Sequence, residues 1–309
     1  YYYATFPAIN IHEVSFWGVL IVLCILAALI FIVRDKKKYL KSQMSVQDIL
    51  KLPFLTKVFL LLALLGGVTF AVGSLLGSPL FRAQKYASLL QVEDREFAKD
   101  IEESEKVTDI ALMDTESAQI FGDRKIGSLS DVVSQYEVEP DYTQISVEKK
   151  PMKVSGLKYA SFFKWWNNRN TGIPGYVKVN PVNSDAEYVK LKQGMRYVPS
   201  GYLNYNLQRH VQLKYPTKII DGYHFEVDDN GEPFYICPTK KARVGLFGGM
   251  DVAGVIICDP VSGACEYYDI EDCPAWVDSV YDGDLLEQKY NWHGMLAGGF
   301  INSMFSQTG

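Results

Sequence analysis

The chain has 309 residues, with 31 Lys and Arg against 36 Asp and Glu and a formal net charge of −5. That balance leaves no basic footprint for nucleic acid, and the length leaves room for a membrane anchor plus a domain with a substantial core. None of the five cysteines forms a C-x-x-C pair, which argues against a zinc ribbon.

Two apolar stretches, Val14–Val33 and Val58–Ser78, contain no charged side chain. Each is long enough for a helix to cross a ~30 Å hydrocarbon layer. The first is too long for a secretory leader, and its basic residues follow rather than precede it. Between the two stretches the segment 34–57 carries Arg34, Lys36, Lys37, Lys38, Lys41, Lys51 and Lys57 against Asp35 and Asp48. The excess of Lys and Arg predicts a cytoplasmic loop, with residues 79–309 outside the cell membrane. Spans free of Asp, Glu, Lys, Arg and His predict an anchor rather than an ion or solute pathway. Tyr1, Tyr2, Tyr3, Phe6, Phe16 and Trp17 suit the outer headgroup level. Ala63, Gly67, Ala71, Gly73 and Gly77 form a small-residue stripe that suits close packing on the first span or self-association.

Residues 79–108 read as a juxtamembrane stalk, with a helix over 81–105 carried by Tyr86, Leu89, Leu90, Phe97 and Ile101. A globular α+β domain follows over 109–309. Asp109–Met113 predicts a strand, and Asp114 to Ser117 a helix start. Gly122 and Gly127 predict that this helix is brief. Two strands are expected around Lys149–Pro151, and a short aromatic helix over Leu157–Asn167.

The most specific signal is internal. Gly175–Leu191 (GYVKVNPVNSDAEYVKL) aligns without gaps on Gly254–Ile270 (GVIICDPVSGACEYYDI) at an offset of 79 residues. Tyr197–Tyr202 falls on Trp276–Tyr281 at the same offset, and helical runs follow at Leu203–Tyr215 and Leu285–Trp292. A constant offset predicts a duplicated unit, about 142–215 and 221–294. Asn180-Pro181, Asp259-Pro260 and Asn230-Gly231 are turn formers. Each unit therefore reads as hairpin, connector, hairpin and helix: an antiparallel sheet with packed helices.

The Asp-Pro-x-x-Gly tip of the 254–270 hairpin resembles the hairpin of PepSY-type domains, extracytoplasmic modules linked to peptidase regulation. The two spans, DIALMDTESAQIFGDRKIGSLSDVVSQYEV, NTGIPGYVKVNPV and EYYDIEDCPAWVDSVY resemble uncharacterised multi-pass membrane proteins of Gram-positive bacteria. The first resemblance implies a regulator of an envelope peptidase; the second implies location without an activity.

Candidate chemistry is sparse. Cys258 and Cys265 face each other if the turn is Pro260–Gly263, in a compartment that permits a disulfide; Cys237 and Cys273 are a second pairing. His12, His210, His224 and His293 belong to no H-x-x-x-H arrangement, so neither a metal site nor a cofactor is expected. Asp278, Asp282, Asp284 and Glu287 suit a helix start better than a Ca²⁺ site. Trp165, Trp166, Tyr176, Tyr197 and Tyr202 form a candidate binding face for a peptide or glycan. The expected role is a non-enzymatic membrane-anchored binding protein with an envelope protein, peptide or wall component as partner. A peptidase regulator, or an enzyme whose residues meet only in three dimensions, stays open.

Overall fold

The computed structural model describes residues 2–34, 52–100, 110–147 and 150–305. The chain forms helices α1 (Val14–Arg34), α2 (Phe54–Leu76), α3 (Pro79–Ala87) and α4 (Thr115–Gly127), then β1 (Tyr136–Val138), β2 (Thr143–Val147), β3 (Lys150–Ser155) and β4 (Leu157–Tyr159). Helix α5 (Phe162–Asn168), strands β5 (Ile173–Val179) and β6 (Ala186–Met195), and helix α6 (Leu207–Lys214) come next. Strands β7 (Ile219–Ile220), β8 (His224–Val227), β9 (Pro233–Val244), β10 (Gly248–Cys258) and β11 (Cys265–Asp269) precede α7 (Gly283–Leu296) and α8 (Phe300–Phe305). Two compact units result. One comprises Tyr1–Phe6, Gln91–Lys240 and Val252–Leu286; the other comprises Pro7–Leu90, Lys241–Asp251 and Glu287–Gly309.

In the second unit α1 and α2 are long and apolar enough to cross a membrane. They pack against each other: a side chain at Gly66 would press on Ile21, and Phe31 stacks on Phe59 at 5.9 Å. Gly73 and Gly77 are covered by the β9–β10 turn, through Leu246, Phe247, Val244 and Gly245. That removes both glycines from the expected self-association stripe, because the chain's own hairpin fills the space. Around Gly67 the space a β carbon would enter is open. A small core of Ala83, Tyr86, Ala87, Val244 and Leu296 joins α3, the hairpin turn and α7. Buried Lys289 of α7 pairs with Asp251 at 2.9 Å. The 79–108 segment is not one helix: α3 ends at Ala87, one further turn covers Phe97–Asp100, and 101–109 lie outside the described residues. Most of the basic loop, 35–51, also lies outside them.

The first unit holds two antiparallel meanders, β2-β3-β5-β6 and β8-β9-β10-β11, the latter joined by β7 on β9. The offset of 79 carries Val179↔Ala186 onto Cys258↔Cys265, two directly opposed cross-strand pairs. The two tips close alike. Asn180 N–H donates to Asp185 C=O at 2.8 Å, and Asp259 N–H to Ala264 C=O at 2.8 Å. Asn180 Oδ1 accepts from Val182 N–H, and Asp259 Oδ1 from Val261 N–H. Ser184 (φ 66°) and Gly263 (φ 82°) hold the same left-handed position. Gly175 is crowded by Val189 C=O and the Tyr188 ring, Gly254 by Tyr268 C=O and the Tyr267 ring. A glycine is needed at both places for one reason: strand backbone and tyrosine ring occupy the space a β carbon would take. The trailing helices differ, however. Leu207 and Val211 of α6 enter the large core, whereas Leu296 of α7 enters the small one.

Alternation sorts the second meander into two faces. Tyr235, Cys237, Ile256 and Cys258 enter the large core with Leu157, Ile173, Val177 and Met195. Ile236, Val255 and Ile257 enter a separate cluster covered by Phe234, Tyr268, Cys273 and Trp276. The sheets share a pin at Asp278 and Ser279. Their N–H groups donate to the fully buried Glu226 carboxylate of β8 at 3.0 and 2.6 Å, and Asp278 Oδ2 accepts from Ser146 N–H of β2 at 2.8 Å. Asp278 thus ties β2 to the segment before α7.

Three expected elements differ. Residues 110–114 form no strand, because an apolar run gives no ladder without a partner, and Leu112 is 85% exposed. Helix α4 begins as expected, with Asp114 Oδ1 accepting from Ser117 N–H at 2.7 Å, but it runs through Gly122, where the Tyr142 hydroxyl leaves no room for a side chain. Leu157–Tyr159 is a strand paired with β1; the aromatic helix starts only at Phe162, capped by Ser161.

Candidate functional site

The opposed pair Cys258 and Cys265 sits at the tip of the β10–β11 hairpin. Because Asp259 and Ala264 share a hydrogen bond, the neighbouring 258/265 pair is the non-hydrogen-bonded kind, whose side chains lie closer together. Their sulfurs are 2.9 Å apart. Helix α6, capped by Asn206 Oδ1 on Arg209 N–H, brings three groups onto this tip. His210 Nε2 bonds Gly263 C=O at 2.7 Å, Lys214 Nζ donates to Cys265 C=O at 2.8 Å, and Tyr215 OH donates to the same oxygen at 3.0 Å. The Tyr197 ring lies tilted against the His210 ring, with centroids 4.3 Å apart. The Cys258 thiol, then His210 and Lys214, push Cys265 well below the ordinary thiol range, while Cys258 itself is pushed up. His210 is raised, chiefly by its hydrogen bond to Cys265.

Among the described residues, His210, Cys258 and Cys265 are the group whose ligand atoms could meet on a metal, all within 4.8 Å of one another. Cys237 and Cys273 are not brought together: one faces the large core, the other packs on the opposite sheet face. No feature of the sequence placed His210 here, since it approaches the tip from a separate helix.

A second candidate is a cleft of about 790 Å³, within the range of small-ligand sites. Glu139 and Asp141 come from the β1–β2 link, Lys158 from β4, Ser200 and Gln208 from around the start of α6, His224 from β8, and Tyr281 and Asp282 from the segment before α7. Burial and the neighbouring Asp141 raise the Glu139 carboxyl to about 7, against the opposing pull of Lys158 and Tyr235. Burial lowers His224, against the pull of Asp282, Asp221 and Asp141. Sequence spacing contained no trace of this convergence.

The expected aromatic face is partly overturned. Trp165 is 1% exposed and Tyr176 2%, because Trp165 is enclosed by Phe162 and Tyr202 and the Tyr176 hydroxyl reaches Gly231 C=O at 3.0 Å. Tyr197 is half-buried beside His210. Trp166 and Tyr202 are exposed, joined by Phe162 and Phe163, with the Arg169 guanidinium 4.2 Å from the Trp166 ring.

No protein-family model matches the chain, and no curated protein or solved structure matches it.

Proposed function

We propose that this chain is a membrane-anchored cell-envelope protein whose α+β domain, a duplicated meander held outside the cell, binds an amine-bearing peptide or wall fragment in the Glu139 cleft. The supporting observation is the convergence of three carboxyl groups, Glu139, Asp141 and Asp282, on one cleft from separate segments. An ammonium group placed there restores the ionised form of Glu139 and replaces the water that burial removed. Binding therefore releases a proton from Glu139 below pH ~7 and strengthens from pH ~6 to ~8.

Calorimetric titration of the full chain in lipid nanodiscs tests this, with a wall stem peptide bearing a free side-chain amine and its acetylated counterpart. The free amine binds, the acetylated peptide binds at least roughly tenfold more weakly, and Glu139→Gln shows the same loss, as expected for a charge-assisted contact of about 1.5 kcal/mol or more. Equal binding of both peptides, or none of either, overturns the reading.

A neutral-range carboxyl sharing a cleft with His224 also favours a second reading, an envelope hydrolase using acid–base chemistry. Recovery of cleaved peptide after incubation, abolished in Glu139→Gln, distinguishes it from binding alone.

A further inference from the structure

We infer that Cys258, Cys265 and His210 form a thiol–disulfide exchange site, in which the cysteine pair is oxidised by a disulfide-bearing compound and reduced again by a thiol. The inference rests on the hairpin tip and not on the Glu139 cleft.

The first support is the approach of the sulfurs, 2.9 Å across directly opposed residues. A shared metal fits this spacing poorly: with Zn–S bonds of ~2.3 Å, sulfurs this close subtend only ~78°, against the ~109° of a tetrahedron. Joining the sulfurs needs only a small further approach. The second support is asymmetry. Cys265 keeps 8% of its surface exposed and has His210 and Lys214 on its side; Cys258 is fully enclosed, in the core that also holds Cys237. Groups that carry positive charge favour the thiolate, the attacking species in exchange. Cys265 is therefore the sulfur that reacts with the outside, and Cys258 the one that resolves. The third support is the matched hairpin, where Val179 and Ala186 hold the same two positions. The fold thus has no structural need for sulfur at this pair.

The step balances as two thiols plus one disulfide giving one protein disulfide plus two thiols. The Cys265 thiolate attacks one sulfur of R–S–S–R, forming a mixed disulfide and expelling R–S⁻. Cys258 then attacks Sγ of Cys265, forming the 258–265 bond and expelling the second R–S⁻. Two electrons pass to the oxidant, and the two thiol protons end on the two R–SH released.

The test equilibrates the full chain in nanodiscs with oxidised or reduced glutathione, then maps non-reduced peptides after cleavage at Asp259, which separates the two cysteines. The expected result is a 258–265 linkage that reduced glutathione removes. His210→Gln raises the pH midpoint of Cys265 alkylation by about one unit, which slows it by about tenfold at pH below that midpoint, and leaves Cys273 unaffected. The double variant Cys258→Val with Cys265→Ala carries the first hairpin's pair. It keeps the reduced protein's melting temperature and yields no linked peptide, which separates loss of the bond from loss of the fold. Free thiols at both positions after oxidation overturn the inference. A linkage that forms while the alkylation midpoint of His210→Gln stays at the parental pH also overturns it, leaving a bridge without an exchange site.

Discussion

Glu139 is half-buried, yet its carboxyl sits among Asp141, Lys158 and the enclosed Tyr235 hydroxyl. Its pKa is raised from 4.5 to about 7 in the folded chain, so near neutrality the native state holds a proton that the unfolded state has already lost. Stability from this group is therefore fully present below pH ~4.5 and is lost as pH rises through ~7. At ~1.4 kcal/mol per unit the total is at most roughly 3.5 kcal/mol. Denaturant unfolding at pH 5 and pH 8 measures it: Glu139→Gln flattens the fall, and an unchanged slope in that variant would assign the titration elsewhere. This residue shows where sequence stops informing. EVEPDY is an ordinary acidic link; only the return of β8 and the 279–283 segment encloses it. His210 is comparable, an ordinary histidine in NLQRHVQLK until α6 is laid against Gly263. The cysteine pair, by contrast, was legible, because a hairpin fixes partners by counting from its turn.

Turns were the most readable elements. Asn180-Pro181 and Asp259-Pro260 supply both the backbone N–H that closes the loop and the side-chain oxygen that collects the next amides. The left-handed position differs between them, Ser184 in one and Gly263 in the other. A non-glycine residue there is strained by roughly 1 kcal/mol. Ser184→Gly is expected to stabilise the domain by up to about 1 kcal/mol in chemical denaturation. Gly263→Ala is expected to destabilise it by more, because the new β carbon also meets the Tyr197 ring. Equal and opposite shifts would mean that Tyr197 gives way freely. Aromatic positions were less readable. Trp165 and Trp166 are adjacent in sequence, but α5 turns one into the core and the other outward. Nor could apolar content alone tell that Leu112 would stand free of any strand.

At the scale of the whole chain, two apolar helices were plain from composition, whereas what covers them was not. The Val244–Phe247 turn lies on Gly73 and Gly77 of α2, although the two segments are remote in sequence. A hydropathy reading finds α2 but not the hairpin that covers it, because hydropathy is a local sum and the contact is between distant segments. The same distance hid the division into two units, each of which draws on three separate stretches of chain. The proposed orientation has a direct check. Protease added to intact protoplasts is expected, on that proposal, to digest residues 79–309 and spare the 34–57 loop, as the distribution of Lys and Arg predicts. Full protection of 79–309 would reverse the orientation and remove the case for an envelope ligand.

The pin at Asp278 and Ser279 also sets a timetable. Ser146 and Asp278 lie 132 residues apart, so their bond forms only late in synthesis. At ~5–20 residues per second, a ribosome needs roughly 7–26 s to travel between them. During that interval β2 and then Glu226 of β8 are made without the segment that ties them together. A chain that stops before residue 278 thus leaves the Glu226 carboxylate without its two amide donors and β2 without the Asp278 contact.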